Sequence, residues 1–344
     1  MISVLLCFSV VYSQFGQRQG SFTQLREFQR TDTRSVFVAG QWSIHATGGP
    51  EALLQLFCAF QSWLPSKSCL VGSKSINDRY MAEAEYSPCL HAAIWKQEDD
   101  MQAGDVYIVP EVEPCPKHLV ERGVRVYIWL LAYSGVDEAC ESHGQRGGCR
   151  YLAHNFALSR PCQPPHNVGG AGLDRAHVLR PYITPALKRA ASYSHGQGKE
   201  ERILLDDDNP GHVIAAVNEA CAELECHVTY VHGFKRSDLP ALYAKSKVVV
   251  DWCMVGSERM PIESTLYGTV LLTSACKSGD DTRDFPIPRR NVLNSTNQLK
   301  SALMRILVNY NSESADMEPV RALYRHLSSK TLAQETRAFI DSLV

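Results

Sequence analysis

The residues best suited to chemistry lie together in Gly256-Ser257-Glu258-Arg259-Met260-Pro261-Ile262-Glu263. Arg259 carries a guanidinium fork that fits phosphate oxygens. Glu263, four positions on, is a carboxylate that can accept hydrogen bonds from a sugar diol, and Glu258 is a second one beside the arginine. The flanking sequence says what must hold them. Lys247-Val248-Val249-Val250-Asp251 is a β-branched run that reads as a buried parallel strand. Pro261 suits the first turn of a helix and Gly268 its end, and Thr269 to Thr273 reads as the next strand. The cluster therefore sits where a strand hands over to a helix. Ligands of open α/β sheets bind at that end of the strands, and a helix start offers unpaired N–H groups to an anion. Together these features outline a nucleotide-sugar site.

Other residues compete for roles. His45 follows a strand-like segment and precedes Thr47-Gly48-Gly49-Pro50-Glu51, and its imidazole would accept a hydroxyl proton near neutral pH. Glu111 and Asp251 each end a strand-like run, which makes Glu111 a second candidate base. Gly48 and Gly49, just before a helix, let a phosphate or sugar ring approach the backbone, although a plain turn has the same composition. Asp206-Asp207-Asp208 follows Ile203-Leu204-Leu205 and is the competing signal: paired aspartates after a strand can bind a divalent metal. Asn209-Pro210 directly after them suggests a solvated turn and helix start instead. Cys140, His143, Cys149, His154, Cys162 and His166 lack the tight pairs that structural zinc prefers. Phosphate-loop, serine-elbow and dinucleotide-fold glycine signatures are absent from the sequence.

Composition sets the frame. A chain of 344 residues suggests two domains, and a formal net charge of −2 argues against nucleic acid as a partner. No apolar run is long enough for a transmembrane helix. Ile2 to Tyr12 has the length and apolarity of a signal-peptide core, with Ser13-Gln14 beyond it, although no basic residue precedes it. If residues 1–13 are a signal peptide, the protein enters the secretory pathway or is extracellular; the alternatives are a buried first strand and a cytoplasmic protein. Twelve cysteines suit an oxidising compartment, and Asn294-Ser295-Thr296 is an acceptor for N-glycosylation in such a setting.

In chain order, Ser35 to Ala39, Cys69 to Gly72, Asp105 to Glu111 and Val124 to Leu131 read as strands. Leu53, Leu56, Phe57, Phe60 and Trp63 mark one helix, and Lys117 to Arg122 a short one. Residues 139–170 read as loop around a short Tyr151 to Phe156 core. A second alternation begins at Arg202 to Asp206. It continues with a helix capped by Asn209, a strand at Cys226 to Val231, and a helix capped at Ser237-Asp238. Helices over 297–308 and 332–343 close the chain. Strands alternating with helices predict α/β architecture with parallel sheets and right-handed crossovers.

This order of parts resembles the two-Rossmann (GT-B) glycosyltransferases, and in particular bacterial-type glycosyltransferases of polysaccharide biosynthesis. There a Gly-Gly-Pro-Glu helix start in the first domain pairs with an Arg-x-Pro-x-Glu helix start in the second. The counterparts are Gly48 to Glu51 and Arg259 to Glu263, the latter followed by a strand and the loop around Gly279. The resemblance implies an α/β fold of two Rossmann-like domains facing a cleft, with an acceptor domain at 34–175, a donor domain at 176–325 and a closing helix at 326–344. It implies a hexosyltransferase that moves a sugar from a nucleotide-diphosphate donor to a hydroxyl of a glycan or other acceptor, in polysaccharide or glycoconjugate biosynthesis. No cofactor or essential metal is expected. Glu263 would hold ribose or sugar hydroxyls, Arg259 would face the diphosphate, and Gly256, Ser257, Glu258, Gly279, Gly48 and Gly49 would border the donor. His45 and Glu111 stand as the candidate bases. The large retaining families carry another glutamate eight positions before Glu263; here that position is Val255. A metal-dependent transferase using Asp206 and Asp208, and a catalytically silent glycan- or nucleotide-binding protein of the same fold, are the alternative readings.

Overall fold

The computed structural model describes residues 34–40, 48–72, 86–131, 148–156, 177–194, 198–206, 208–234, 237–254, 256 and 258–343. Two wholly parallel sheets organise them. The first is built from β1 (Val36–Ala39), β2 (Ser68–Val71), β3 (Ile94–Lys96), β4 (Val106–Pro110), β5 (Arg125–Leu130), β6 (Arg150–Ala153) and β7 (His177–Val178). Their spatial order is β3-β2-β1-β4-β5-β6-β7. The second comprises β8 (Glu200–Leu205), β9 (His227–Tyr230), β10 (Ser246–Val250), β11 (Val270–Ser274) and β12 (Val292–Leu293), in the order β12-β11-β10-β8-β9. Both orders reverse direction once. The switch points lie between β1 and β4 and between β8 and β10, where α/β folds open a crevice for ligands. This is the two-Rossmann α/β architecture expected from the sequence.

The strands form where apolar runs can be buried on both faces. Val36 to Ala39, Val106 to Pro110 and Val248 to Val250 are buried throughout, as parallel strands covered by helices on both sides must be. The helices are α1 (Gly48–Trp63), α2 (Ser87–His91), α3 (Lys117–Glu121), α4 (Pro185–Ser194), α5 (Gly211–Leu224), α6 (Leu239–Lys245), α7 (Arg259–Leu266), α8 (Leu299–Val308), α9 (Tyr310–Ala315), α10 (Glu318–His326) and α11 (Ser329–Ser342). In α1, Leu53, Leu54, Leu56, Phe57 and Phe60 are buried, and the acidic Glu51 sits in the first turn, where the helix dipole favours it. α7 ends at Tyr267, and Gly268 follows with φ +96°, a left-handed turn suited to glycine.

Several local expectations change. Asn209 does not cap α5 through its side chain: the cap position is Pro210, with Gly211 the first helical residue. The Asn209 amide instead donates to the carbonyl of Asp206 (2.8 Å), and its oxygen accepts the Trp252 N–H (2.8 Å). It thus staples β8 to β10 at the switch point. Pro261, the third residue of α7, lies in its first turn as expected. Asp238 makes no side-chain cap to α6. The Tyr151 to Phe156 core expected within a loop lies partly in β6, and the sequence expectations include no element at β3, β7, α2, α4, α9 or α10, although Val320, Leu323 and Tyr324 in α10 stand at helical spacing.

α11 returns from the second half to pack on α1 of the first. Trp63 Nε1 donates to the Ala333 carbonyl at 2.6 Å, and Arg180 pairs with Glu335 through Nε at 2.7 Å. Phe339 meets Tyr127 edge to face at 5.0 Å between centroids. Among the described residues, four disulfides pin further elements: Cys58–Cys89, Cys115–Cys149, Cys221–Cys226 and Cys253–Cys276. Among the described residues, no helix is long and apolar enough to cross a membrane.

Candidate functional site

A helix that follows a parallel strand begins at that strand's C-terminal end. α1 starts beyond β1, and α7 starts beyond β10. These two helix starts meet: Arg259 at the head of α7 donates through Nη1 to Glu51 in the first turn of α1. Its Nε and Nη2 both donate to Glu263 Oε1, at 2.8 and 2.6 Å. The Arg259 side chain is 22% exposed, whereas those of Glu51 and Glu263 are 3% and 4% exposed. One cation therefore holds a buried carboxylate from each half of the molecule. Burial alone would pull the guanidinium pKa down, but Glu263 and then Glu51 outweigh it and the net shift is upward.

The pair is anchored on both sides. Tyr86 donates its hydroxyl to Glu51 at 2.6 Å, and Gln55 donates to Tyr86 at 2.9 Å. Gln55 also exchanges two hydrogen bonds of 2.9 Å with the backbone of Tyr182. On the other side, Tyr243 donates to Glu263 Oε2 at 3.4 Å. A continuous hydrogen-bonded chain thus runs from Tyr182 through Gln55, Tyr86, Glu51, Arg259 and Glu263 to Tyr243. Burial first, and the neighbouring carboxylates second, raise the pKa of Tyr86 and Tyr243, so both stay protonated donors. A further contact joins the same edges of the sheets: after β6, Asn155 donates to Ser278 Oγ at 3.1 Å and the Phe156 N–H to Asp284 at 2.9 Å. The Arg180 and Arg283 guanidinium groups lie 5.5 and 4.7 Å from the Phe156 ring centroid.

The candidate residues fall into place around this clasp. Gly48 and Gly49 open α1, one residue ahead of Glu51. Glu111 follows β4 at the first switch point, half-buried, its Oε2 accepting the Leu131 N–H at 3.0 Å just past β5. Glu258 occupies the cap position of α7, but its carboxylate turns back to accept the Gly256 N–H at 3.1 Å. Gly279 lies in a short turn after β11. A Cβ there would stand 3.0 Å from the Ser274 carbonyl oxygen and 3.1 Å from Thr273 Oγ1, so close packing on the strand end requires a glycine. His45 and Ser257 lie outside the described residues, as do Val255, Asp207 and residues 1–13. Glu51 and Tyr86 were not singled out as site residues in the sequence. Glu51 stood in plain view in the Gly-Gly-Pro-Glu motif, whereas nothing local marks Tyr86.

The second switch point is acidic. Asp251, just past β10, is 6% exposed. Burial, then Glu258, Asp206 and Asp208, push its carboxyl well above the ordinary range. The Asp206 backbone carbonyl closes the turn by accepting the Asn209 N–H at 3.3 Å. Among the described residues, no three His, Cys, Asp or Glu side chains are grouped to hold a metal ion. Of the Cys/His scatter, Cys149 is in a disulfide, and His154 is buried against Trp129 with its pKa pushed down to about 3 by burial.

No family model matches the sequence, and no curated protein matches it. The fold is shared with solved structures. HepE (Alr3699) of Anabaena, determined in complex with UDP-glucose, superposes with a TM-score of 0.55 at 10% identity, over 90% of this chain and 99% of that one. A glycosyltransferase from Rickettsia africae gives a TM-score of 0.53 at 9% identity, over 90% and 99%. At such identities the likeness is one of architecture: two parallel α/β units, joined at the C-terminal edges of their sheets, as in GT-B glycosyltransferases.

Proposed function

We propose that the protein is a metal-independent glycosyltransferase, of hexosyltransferase type, that takes a nucleotide-diphosphate sugar as donor and a glycan or other hydroxyl compound as acceptor. One observation carries the reading: a partly exposed cation between two buried carboxylates lies where two helix starts meet, at the C-terminal edges of both sheets. Helix starts and an arginine fork favour a diphosphate there. Arg259 has five N–H donors. Exchanging Glu51 for a diphosphate oxygen at Nη1 keeps Glu263 in place and neutralises charge developing on the leaving nucleotide. Glu263 then orients the arginine and accepts from donor hydroxyls. Gly48 and Gly49 leave room beside the reacting centre, Gly256, Ser257 and Glu258 border the donor, and Glu111 or His45 takes the acceptor proton.

The test is a panel of UDP-, GDP- and ADP-sugars read by thermal shift and by donor hydrolysis with and without chelator. A bound donor at about 100 times its Kd raises stability by about 2.7 kcal/mol. Turnover should survive chelation and Asp206→Ala, and should fall about 10²-fold or more in Arg259→Ala. Loss with chelator and in Asp206→Ala, with Arg259→Ala unaffected, transfers the chemistry to a metal at Asp206 and Asp208. The prior engagement of Arg259 by two carboxylates favours a second reading, a silent nucleotide- or glycan-binding protein, which predicts a thermal shift with no turnover.

A further inference from the structure

We propose that Asn294 is an N-glycosylation site and that the folded protein carries an oligosaccharide there. Two independent sets of observations converge on it. The first is local. Asn294-Ser295-Thr296 is the only Asn-x-Ser/Thr tripeptide in the 344-residue sequence. Asn294 leaves the short edge strand β12 and is exposed, as is Ser295. Its backbone N–H donates to Gln298 Oε1 at 2.8 Å, so the turn is held by the main chain of Asn294 and the side chain of Gln298, with no demand on the Asn294 amide. Ser295 is extended, with φ −157° and ψ 156°, and Thr296 opens the turn that leads into α8. A bulky, solvated attachment at an exposed residue past an edge strand displaces no core contact.

The second set concerns the compartment. Eight of the nine described cysteines are paired, with Cα separations of 5.5, 6.3, 4.7 and 5.7 Å, all within the span a disulfide requires. The pairs close over 31, 34, 5 and 23 residues and occur in both halves of the molecule. The ninth, Cys69, is buried. Pairing of this extent forms in oxidising compartments, which is also where asparagine acceptors are modified. A cytosolic chain of the same fold would gain nothing from such pairs, because thiols stay reduced there.

The step balances without help from this protein. The Asn294 side-chain nitrogen forms a bond to the anomeric carbon of an oligosaccharide carried on a lipid diphosphate. The bond from that carbon to the diphosphate breaks, the diphosphate leaves with its electron pair, and the amide nitrogen loses one proton to the modifying enzyme. The inference is independent of the proposed transferase activity.

The experiment purifies the full chain, with thiols trapped by alkylation, from cells that make it, and measures peptide masses before and after a peptide-N-glycanase. The expected result is a glycan on the Asn294 peptide that the enzyme removes, converting Asn294 to aspartate, with eight or more cysteines protected from alkylation. The glycan should vanish in N294Q and in T296A and persist in T296S, which keeps the acceptor tripeptide. An unmodified Asn294 peptide overturns the proposal, whether the cysteines are found paired or reduced. A glycan that persists in N294Q also overturns it.

Discussion

Replacing Arg259 by methionine removes the one cation that Glu51 and Glu263 share while keeping most of the packing volume. Both carboxylates are nearly inaccessible, so neither can recover its charge balance from water. Each escapes by taking up a proton, which bounds the loss. Raising a glutamate from its usual 4.3 to just above 7 costs about 3.7 kcal/mol at pH 7, since each unit is about 1.36 kcal/mol. Breaking a buried pair ordinarily costs about 3–5 kcal/mol. With this cation gone from between two buried carboxylates, the expected loss at pH 7 is about 4–7 kcal/mol. At pH 5 the same uptake costs about 1 kcal/mol per group, so the deficit should shrink to about 2 kcal/mol. The sign follows from linkage in the variant: carboxyls buried without that guanidinium take up protons more readily than in the unfolded chain, so the deficit shrinks as pH falls. Urea denaturation at pH 7 and pH 5 reads both quantities. A Glu51→Gln, Arg259→Met double variant should recover a substantial part of the single-variant loss at pH 7. A loss below about 1 kcal/mol at both pH values is the behaviour of an exposed ion pair and would refute the buried clasp.

Further predictions follow from neighbouring groups. His154 has its pKa depressed from 6.5 to about 3 by burial, so the unfolded chain takes up a proton that the folded one refuses. Stability is full above pH 6.5 and should fall by about 1.4 kcal/mol for each pH unit below it, down to about pH 3. His154→Phe should flatten that slope in urea titrations between pH 7 and 4.5, and an unchanged slope would exclude His154 as its source. Asp251 is raised above its ordinary 3.8 by burial and by Glu258, Asp206 and Asp208, so its contribution is present in acid and is lost as pH rises. Asp251→Asn should therefore be at least as stable as wild type at pH 8; a loss above about 1 kcal/mol would show that the charged form is needed. Tyr86→Phe withdraws the 2.6 Å donor from Glu51 and should cost about 1.5–3 kcal/mol by thermal or urea unfolding, with little change if the bond is not made.

The place of Arg259 and Glu263 was legible because several local signals agree there. A β-branched run, a proline near the helix start and a glycine after its end mark one strand-to-helix junction, and one register serves all of them. The partner of Arg259 was not legible. Glu51 lies 208 positions away, and neither periodicity nor composition records which two helix starts will meet. Asn209 shows a local rule losing to a tertiary one. Its type and its proline neighbour suit a helix cap, but its amide is worth more holding β8 to β10, where it meets the Asp206 and Val250 carbonyls and the Trp252 N–H. β3 and α4 escaped notice for a different reason. Ile94 to Lys96 is only half-buried, and Leu187 and Ala191 give α4 an apolar stripe of a single turn, too short to be recognised in the sequence.

The return of α11 to the first sheet has a consequence for how the molecule is made. The ring of Phe339 fills the space between Phe60 and Tyr127, and Arg125 reaches forward to the Leu343 carbonyl across 218 positions. During synthesis the first half emerges with that side of α1 uncovered, and the piece that covers it follows more than two hundred residues later. The apolar flank of α1 must wait through the making of all of them, so maturation of the first sheet is tied to synthesis of the second.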